Sequence, residues 1–342
     1  MFGRSPKPIR VEVVGKTDLG RTREHNEDRF LVADLTRKAA SLPDVRQHHI
    51  GDRGMLLVVA DGMGGAAAGE LASEMATDTI YAHLIRTWHA EPHPTPQRFA
   101  YRLKEAVEVA NANIHAHAAA HPEVRGMGTT TTAAGVLADH LYLTQVGDSR
   151  AYLVRGGVAH QITKDQSLMQ RLVEAGELTE EEAAHSERRN IILQALGPDP
   201  KVKVDLTHQD VRRGDVLVLC SDGLSGQVKK EEIARIVSRA TDLRAACDEL
   251  VALANERGGP DNITVVVARF AGDGLRPSGS TDDVGHQVYP LIDTETSTEP
   301  VPVYRGSPPP VPAKETRGRL MSAAVGLLVV AAAIAWYLMR NP

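Results

Sequence analysis

Between residues 130 and 162, four β-prone apolar segments (130–137, 141–146, 151–154 and 158–162) follow one another with almost no chain between them. The connectors are Ala138-Asp139-His140, the four residues 147–150, and Arg155-Gly156-Gly157. A parallel crossover needs a dozen or more residues, so joints this short make antiparallel hairpins. The rest of the chain has to be arranged around that antiparallel block. Strand-like runs over 11–15, 29–34 and 55–60 precede it, and runs over 202–206, 215–220 and 262–270 follow it. Helical spacing appears over 68–86, where Ala72, Met75, Ala76, Thr79, Ile80 and Leu84 share a face, and over 97–120 after the proline-rich EPHPTP. A polar segment, 165–184, also reads as helix, and two further helices, 230–239 and 242–255, separate the last two strands. Antiparallel strands with inserted helix pairs predict an α+β fold of stacked sheets covered by helices. Hydrophobic residues, at 42%, suffice for its core, and with aromatics at only 4% aliphatic side chains and alanine must fill it.

The C-terminal region has a different character. Residues 271–316 carry eight prolines among many Ser, Thr, Asp and Glu, and read as a linker too poor in apolar surface to offset its ordering entropy. Residues 320–339, LMSAAVGLLVVAAAIAWYLM, hold no charge. As a helix they span roughly 30 Å, the thickness of a bilayer core. Trp336 and Tyr337 lie where an interfacial aromatic belt falls, and Lys314, Arg317 and Arg319 outnumber Arg340 across the span. The expected layout is a domain over 9–270, a linker over 271–316 and one transmembrane helix over 320–339, with the domain on the cytoplasmic face of the cell membrane. The two cysteines, Cys220 and Cys247, favour a reducing compartment. A net charge of −5 argues against nucleic acid as a partner.

Four aspartates share one local setting. Asp61 ends the run MLLVVA, Asp148 follows LTQVG, Asp222 follows VLVLCS, and Asp261 precedes NITVVVARF. Each sits at the end of a strand that reads as buried, flanked by glycine or proline. One such residue is ordinarily a turn former. Four together, if the strand ends converge, repel one another in a poorly solvated site and call for a counter-ion. Oxygen donors of this kind select hard cations, Mg²⁺ or Mn²⁺.

The ordered segments REHNED (residues 23–28), VVADGMGG, GMGTT, QVGDSRAYL, LVLCSDGL and GGPDNITVVV resemble the motif series of the protein phosphatase 2C family, bacterial type, over residues 13–270. The resemblance implies an α-β-β-α sandwich of two antiparallel sheets flanked by helices. It also implies metal-dependent hydrolysis of phosphoserine and phosphothreonine on proteins by a hydroxide bridging two Mn²⁺ or Mg²⁺ ions. By position, Asp61 resembles the carboxylate that bridges the pair, with the Gly62 carbonyl as a further ligand. Asp222 and Asp261 resemble ligands of the first ion and Glu27 the residue serving the second. Asp148, with Asp222, resembles the site of a third, weaker ion. Arg23 resembles the residue that grips the substrate phosphate, and Asn262 a neighbour that orients Asp261. Met63 stands where eukaryotic members tend to carry histidine, so no protein group is assigned as proton donor. Residues 163–196 correspond to the flap of bacterial members. Partners implied are phosphorylated proteins, including serine/threonine kinases and their substrates, in signal transduction at the membrane.

Residues 35–54 read as a surface loop, and His83, His89, His93, His115, His117 and His121 as solvated faces of helices. Other phosphatase chemistries lack their motifs: neither cysteine has an arginine six residues later, and no Asp-x-Asp or P-loop is present. The turn from Gly62 to Ala67 fits G-x-G-x-x-A, but the acidic residue a dinucleotide site needs at the end of a second strand is missing, and Asp78 lies mid-helix instead. A catalytically silent, membrane-tethered binding module on the same fold is the alternative, and the intact acidic set argues against it.

Overall fold

The computed structural model describes residues 8–40, 48–279 and 283–291. Thirteen strands are described: β1 Arg10–Asp18, β2 Asp28–Asp34, β3 Ala39–Ala40, β4 His48–His49, β5 Met55–Met63, β6 Gly128–Thr129, β7 Thr131–Leu137, β8 His140–Val146, β9 Arg150–Arg155, β10 Val158–Gln161, β11 Asp205–Asp210, β12 Val216–Cys220 and β13 Ile263–Ala271. The α-helices are α1 Ala66–Thr87, α2 Pro96–Ala120, α3 Leu168–Glu174, α4 Glu180–His185, α5 Asp222–Ser225, α6 Lys230–Arg239 and α7 Leu243–Glu256.

The strands form two sheets. One runs β10-β9-β12-β13-β1-β4 and the other β11-β8-β7-β5-β2-β3, with β6 paired to the end of β5. Every registered pairing of strands is antiparallel, as the short connectors require. Alternation along the strands sends Val13, Val32, Leu57, Val59, Leu143, Leu217 and Val266 into the space between the sheets. The opposite faces take helices. α1 and α2 cover the second sheet through Ala72, Ala76, Ile80, Leu103 and Val107, with Trp88, Phe99 and Tyr142 as the few large rings. α6 and α7 cover the first through Ile233, Ile236, Leu250 and Val251. The α-β-β-α sandwich is therefore present. α2 begins as its sequence dictates: the Thr95 hydroxyl accepts from the Arg98 N–H at 3.2 Å, and Pro96 fills the first turn.

Several elements differ from the sequence reading. The polar helix over 165–184 is two short helices, α3 and α4, broken where Gly176 takes a φ of 74° that a continuous helix excludes. The strand over 202–206 is displaced to β11, whose Thr207 and Gln209 are buried although polar. The loop over 35–54 contains β3 and β4, and His48 is buried against β1.

The largest difference is the boundary at Phe270. The chain expected to leave the domain at Ala271 stays on it through most of the described residues up to 291. Leu275 is buried with the inter-sheet core, and Arg213 N–H donates to the Arg276 carbonyl at 2.9 Å. Residues 285–291 then lie along the outer edge of β11. His208 N–H donates to Gln287 O and Tyr289 N–H to Leu206 O, both at 2.9 Å, and Gln209 Nε2 donates to Gly285 O at 2.8 Å. The Tyr289 ring stands edge-on to Tyr142 and to His208, each 5.2 Å away. This strap explains why β11 escaped the sequence pattern: its polar side chains are buried by chain pairing. It also covers a sheet edge that would otherwise present unpaired backbone groups.

The transmembrane helix expected over 320–339 and the linker beyond residue 291 lie outside the described residues. Among the described residues no helix is long and apolar enough to cross a membrane.

The strap predicts that Tyr289→Ala destabilises the domain by about 1–2 kcal/mol, from lost ring burial and two edge-to-face contacts. Chemical denaturation measures this, and an unchanged midpoint contradicts a docked strap.

Candidate metal centre

The site is assembled from strand ends. β2 and β5 pair in a register that sets Asp28 opposite Asp61. One step earlier, the Gly62 N–H donates to the Glu27 carbonyl at 3.2 Å, and Ser73 Oγ of α1 donates to the same oxygen at 2.6 Å. Because side chains alternate along a strand, Glu27 and Asp28 project to opposite sides. Glu27 lies against α1, where Gly69 leaves it room: a Cβ there would fall 1.8 Å from Glu27 Oε2. Asp61 is pinned through its backbone. Its carbonyl accepts from the Thr130 N–H at 2.8 Å and from Thr129 Oγ1 at 2.9 Å, and its N–H donates to Thr130 Oγ1 at 3.3 Å.

Asp222 is the first residue of α5, directly after β12, and Asp261 stands just before the neighbouring strand β13. Gly223 lets the two approach, since a Cβ on it would lie 2.0 Å from the Asn262 carbonyl. Asn262 knits this corner together. Its backbone N–H donates to Asp261 Oδ1 at 2.8 Å, its Oδ1 accepts from the Glu27 N–H at 2.8 Å, and its Nδ2 donates to the Leu19 and His25 carbonyls. Asn262 therefore orients Asp261 through its backbone, while its side chain holds the Glu27 segment. Asp148 follows Gly147 in the turn from β8 to β9.

These placements bring Arg23, Glu27, Asp61, Gly62, Asp148, Asp222 and Asp261 to one cleft of about 270 Å³. Every candidate residue from the sequence lines it. So do Met63, Thr130, Asn190 and Ile192, to which the sequence assigned no role. Thr130 was within the GMGTT motif. Asn190 and Ile192 carry no local signal, because they arrive from the flap through tertiary packing. Asp28 was also missed, although it directly follows Glu27. It is buried behind the cleft, where Ser221 Oγ donates to its Oδ2 at 2.8 Å.

The electrostatics are those of crowded, desolvated acids. Burial, then the neighbouring charges of Asp28, Asp222, Asp148 and Asp261, pushes the Asp61 carboxyl well above the usual carboxylate range. Asp148 is pushed up to about 8, first by burial and then by Asp222 and Asp165. Asp28 is pushed up to about 7, again mainly by burial. Asp222 and Glu27 are raised too, in both cases first by burial. Arg23 donates to Asp261 Oδ2 at 2.7 Å with its own side chain half exposed. As the side chains stand, no three His, Cys, Asp or Glu among the described residues enclose a common point. Asp261 is instead held by Arg23. The donor set is nevertheless all oxygen, largely desolvated and rich in carboxylates, which fits hard divalent cations.

The histidines read as solvated need correction in part. His83 is buried between α1 and α2, with Nε2 2.8 Å from Glu105 Oε2 and Nδ1 3.1 Å from Arg86 Nη2. His115 Nδ1 lies 2.8 Å from the Gly197 carbonyl. Neither lines the cleft.

A family model described as protein phosphatase 2C matches residues 37–263. The serine/threonine phosphatase stp of Listeria innocua is 35% identical over 263 residues, covering 74% of this chain and 93% of that protein. A Streptococcus agalactiae serine/threonine phosphatase structure superposes with a TM-score of 0.66 at 34% identity, over 76% of this chain and 99% of the other. The catalytic domain of the serine/threonine protein phosphatase PstP, solved with two manganese ions, gives 0.63 at 36% identity over 77% and 99%. The chain belongs to the protein phosphatase 2C family. Its activity is the metal-dependent removal of phosphate from serine and threonine residues of proteins, with Mn²⁺ or Mg²⁺ as cofactor.

Asp28 and Asp148, raised in the fold, stay protonated where the unfolded chain has already ionised, from about pH 4 upward. The folded state then binds more protons than the unfolded one, so stability of metal-free protein falls as pH rises from about 4 toward 8. Thermal unfolding in chelator at about pH 5 and pH 8 should show the lower Tm at the higher pH, and saturating Mn²⁺ should erase the difference. A Tm that rises with pH in chelator contradicts the electrostatics described.

Proposed function

We propose that the cleft is a binuclear phosphatase centre in which the residues divide the work as follows. Asp61 would hold both cations, with the Gly62 carbonyl as a further ligand. Asp222 and Asp261 would complete the shell of one and Glu27 that of the other, while Asp148 with Asp222 would take a third, weaker ion. The observation that carries this reading is the convergence of Glu27, Asp61, Asp148, Asp222 and Asp261, from segments far apart in the chain, on one desolvated cleft. Divalent ions held there supply a water of lowered pKa and offset charge on the phosphoryl oxygens.

The protein groups do the rest. Arg23, half exposed at the cleft, exchanges its contact with Asp261 for the phosphate of the bound side chain, a charge-assisted pairing its planar fork suits. Ser73, Thr129, Thr130 and Asn262 fix the backbone on which the carboxylates stand, so that little reorganisation accompanies the reaction. Substrates in this reading are phosphorylated proteins, including serine/threonine kinases and the proteins they modify.

The uncharged run 320–339, with its cationic flanks, supports a second proposal: a single membrane-crossing helix that keeps the catalytic domain at the cytoplasmic face.

Asp222→Asn is expected to lower kcat on p-nitrophenyl phosphate with Mn²⁺ by roughly a hundredfold or more while leaving the fold intact by circular dichroism. Full turnover in that variant contradicts the ligand assignment. Removal of residues after Thr316 should yield an active enzyme in the soluble fraction, and a truncated chain that still sediments with membranes contradicts the anchor.

A further inference from the structure

Two parts of the cleft wall come from a single knot of hydrogen bonds that lies behind it. Asp148 rides on the turn after Gly147, and Asn190 and Ile192 ride on the flap segment that follows α4. Gln166 joins them. Its backbone N–H donates to the Gly147 carbonyl at 2.8 Å, and its Oε1 accepts from the Gly147 N–H at 3.0 Å. Its own carbonyl accepts from the Leu193 N–H at 2.7 Å. Next to it, Ser167 and Ile192 bridge as antiparallel neighbours, and Leu168 N–H donates to Ile191 O at 2.9 Å. The Gln166 amide nitrogen faces only acceptors: Asp205 Oδ2 at 3.0 Å and the Lys203 and Gln145 carbonyls at 3.3 and 3.4 Å.

The preceding residue anchors this knot to the sheet. Asp165 receives Arg150 Nε at 3.0 Å and Nη2 at 2.7 Å, and Gln161 Nε2 at 2.9 Å. Arg150 starts β9, two residues beyond Asp148. A two-pronged arginine–carboxylate contact fixes direction as well as distance.

We infer that Gln166, backed by the Arg150–Asp165 pair, is a positioning residue that locks the flap's Asn190 and Ile192 in register with the Asp148 turn. This deepens the phosphatase reading and rests on it. The consequence falls on large substrates. A peptide flanking the phosphorylated residue must pass the flap lip, whereas a small phosphate ester needs only the floor of the cleft. Loosening the lock therefore costs peptide binding more than it costs hydrolysis of a small ester.

The test uses the full chain with Mn²⁺, a phosphothreonine peptide and p-nitrophenyl phosphate. Gln166→Glu keeps the acceptor for Gly147 but sets a carboxylate against Asp205 and two carbonyls. The ratio of kcat/KM for the peptide to that for the ester should fall about fivefold or more, chiefly through the peptide KM. Adding Asp205→Asn gives the introduced carboxylate a donor again and should recover much of the ratio. A purely structural role would lower both substrates together. An unchanged ratio in Gln166→Glu, with the wild type active, overturns the lock alone; a wild type inactive on both substrates overturns the phosphatase reading and the positioning role with it. Hydrogen exchange of the wild type needs no variant: the Gly147 and Leu193 amides should exchange at similar rates. Exchange of Leu193 a hundredfold faster than Gly147 overturns the inference even if the variants fail to fold.

Discussion

Asp28 and Asp148 are buried and Asp61 and Asp222 half-buried in one corner, where desolvation and neighbouring carboxylates push all four toward their protonated forms. Without bound cations this corner of the molecule stores repulsion and desolvation that the rest of the fold has to offset. That requirement explains the scaffold around it. A flexible loop carrying the same acids would separate them. Rigid strand ends, tied by backbone hydrogen bonds, hold them in place.

The ties are local and specific. The β2–β5 register sets Glu27 against Gly62 and Asp28 against Asp61, so a slip by one residue would turn Glu27 away from the cleft. Gly223 sits where α5 presses on the Asn262 backbone and no larger side chain fits, and a Cβ at Gly69 would displace the Glu27 carboxylate from its place against α1. Asn262 links the Asp261 corner to the Glu27 segment with three side-chain hydrogen bonds. The carboxylates thus come from both sheets, and the interface between the sheets is what brings them to one cleft.

Much of this was legible in the amino-acid sequence. The hairpin connectors dictated antiparallel pairing, and helix α6 has the bounds its pattern predicts. The acids at strand ends pointed to a hard-cation site, and every residue singled out lines the cleft. What escaped notice has a shared cause. β11 is polar because its partner is a strap from residues 285–291, distant in sequence. His83 is buried because two helices meet over it. Asn190 and Ile192 reach the cleft through the Gln166 knot. Periodicity reports the face an element turns to the core, and it is silent about polar groups buried by pairing with remote chain. The domain boundary was misplaced for the same reason. Proline and charge in 271–316 signalled a linker, while Leu275 and Tyr289, scattered within it, anchor its first part to the domain.

The central claim is that this acidic cleft exists to hold a pair of divalent cations astride Asp61. Crystals grown with Mn²⁺, measured at the manganese absorption edge, test it directly. The account predicts two anomalous peaks in the cleft, both contacting the Asp61 carboxylate. A cleft without anomalous signal, or manganese bound elsewhere and not at Asp61, contradicts it.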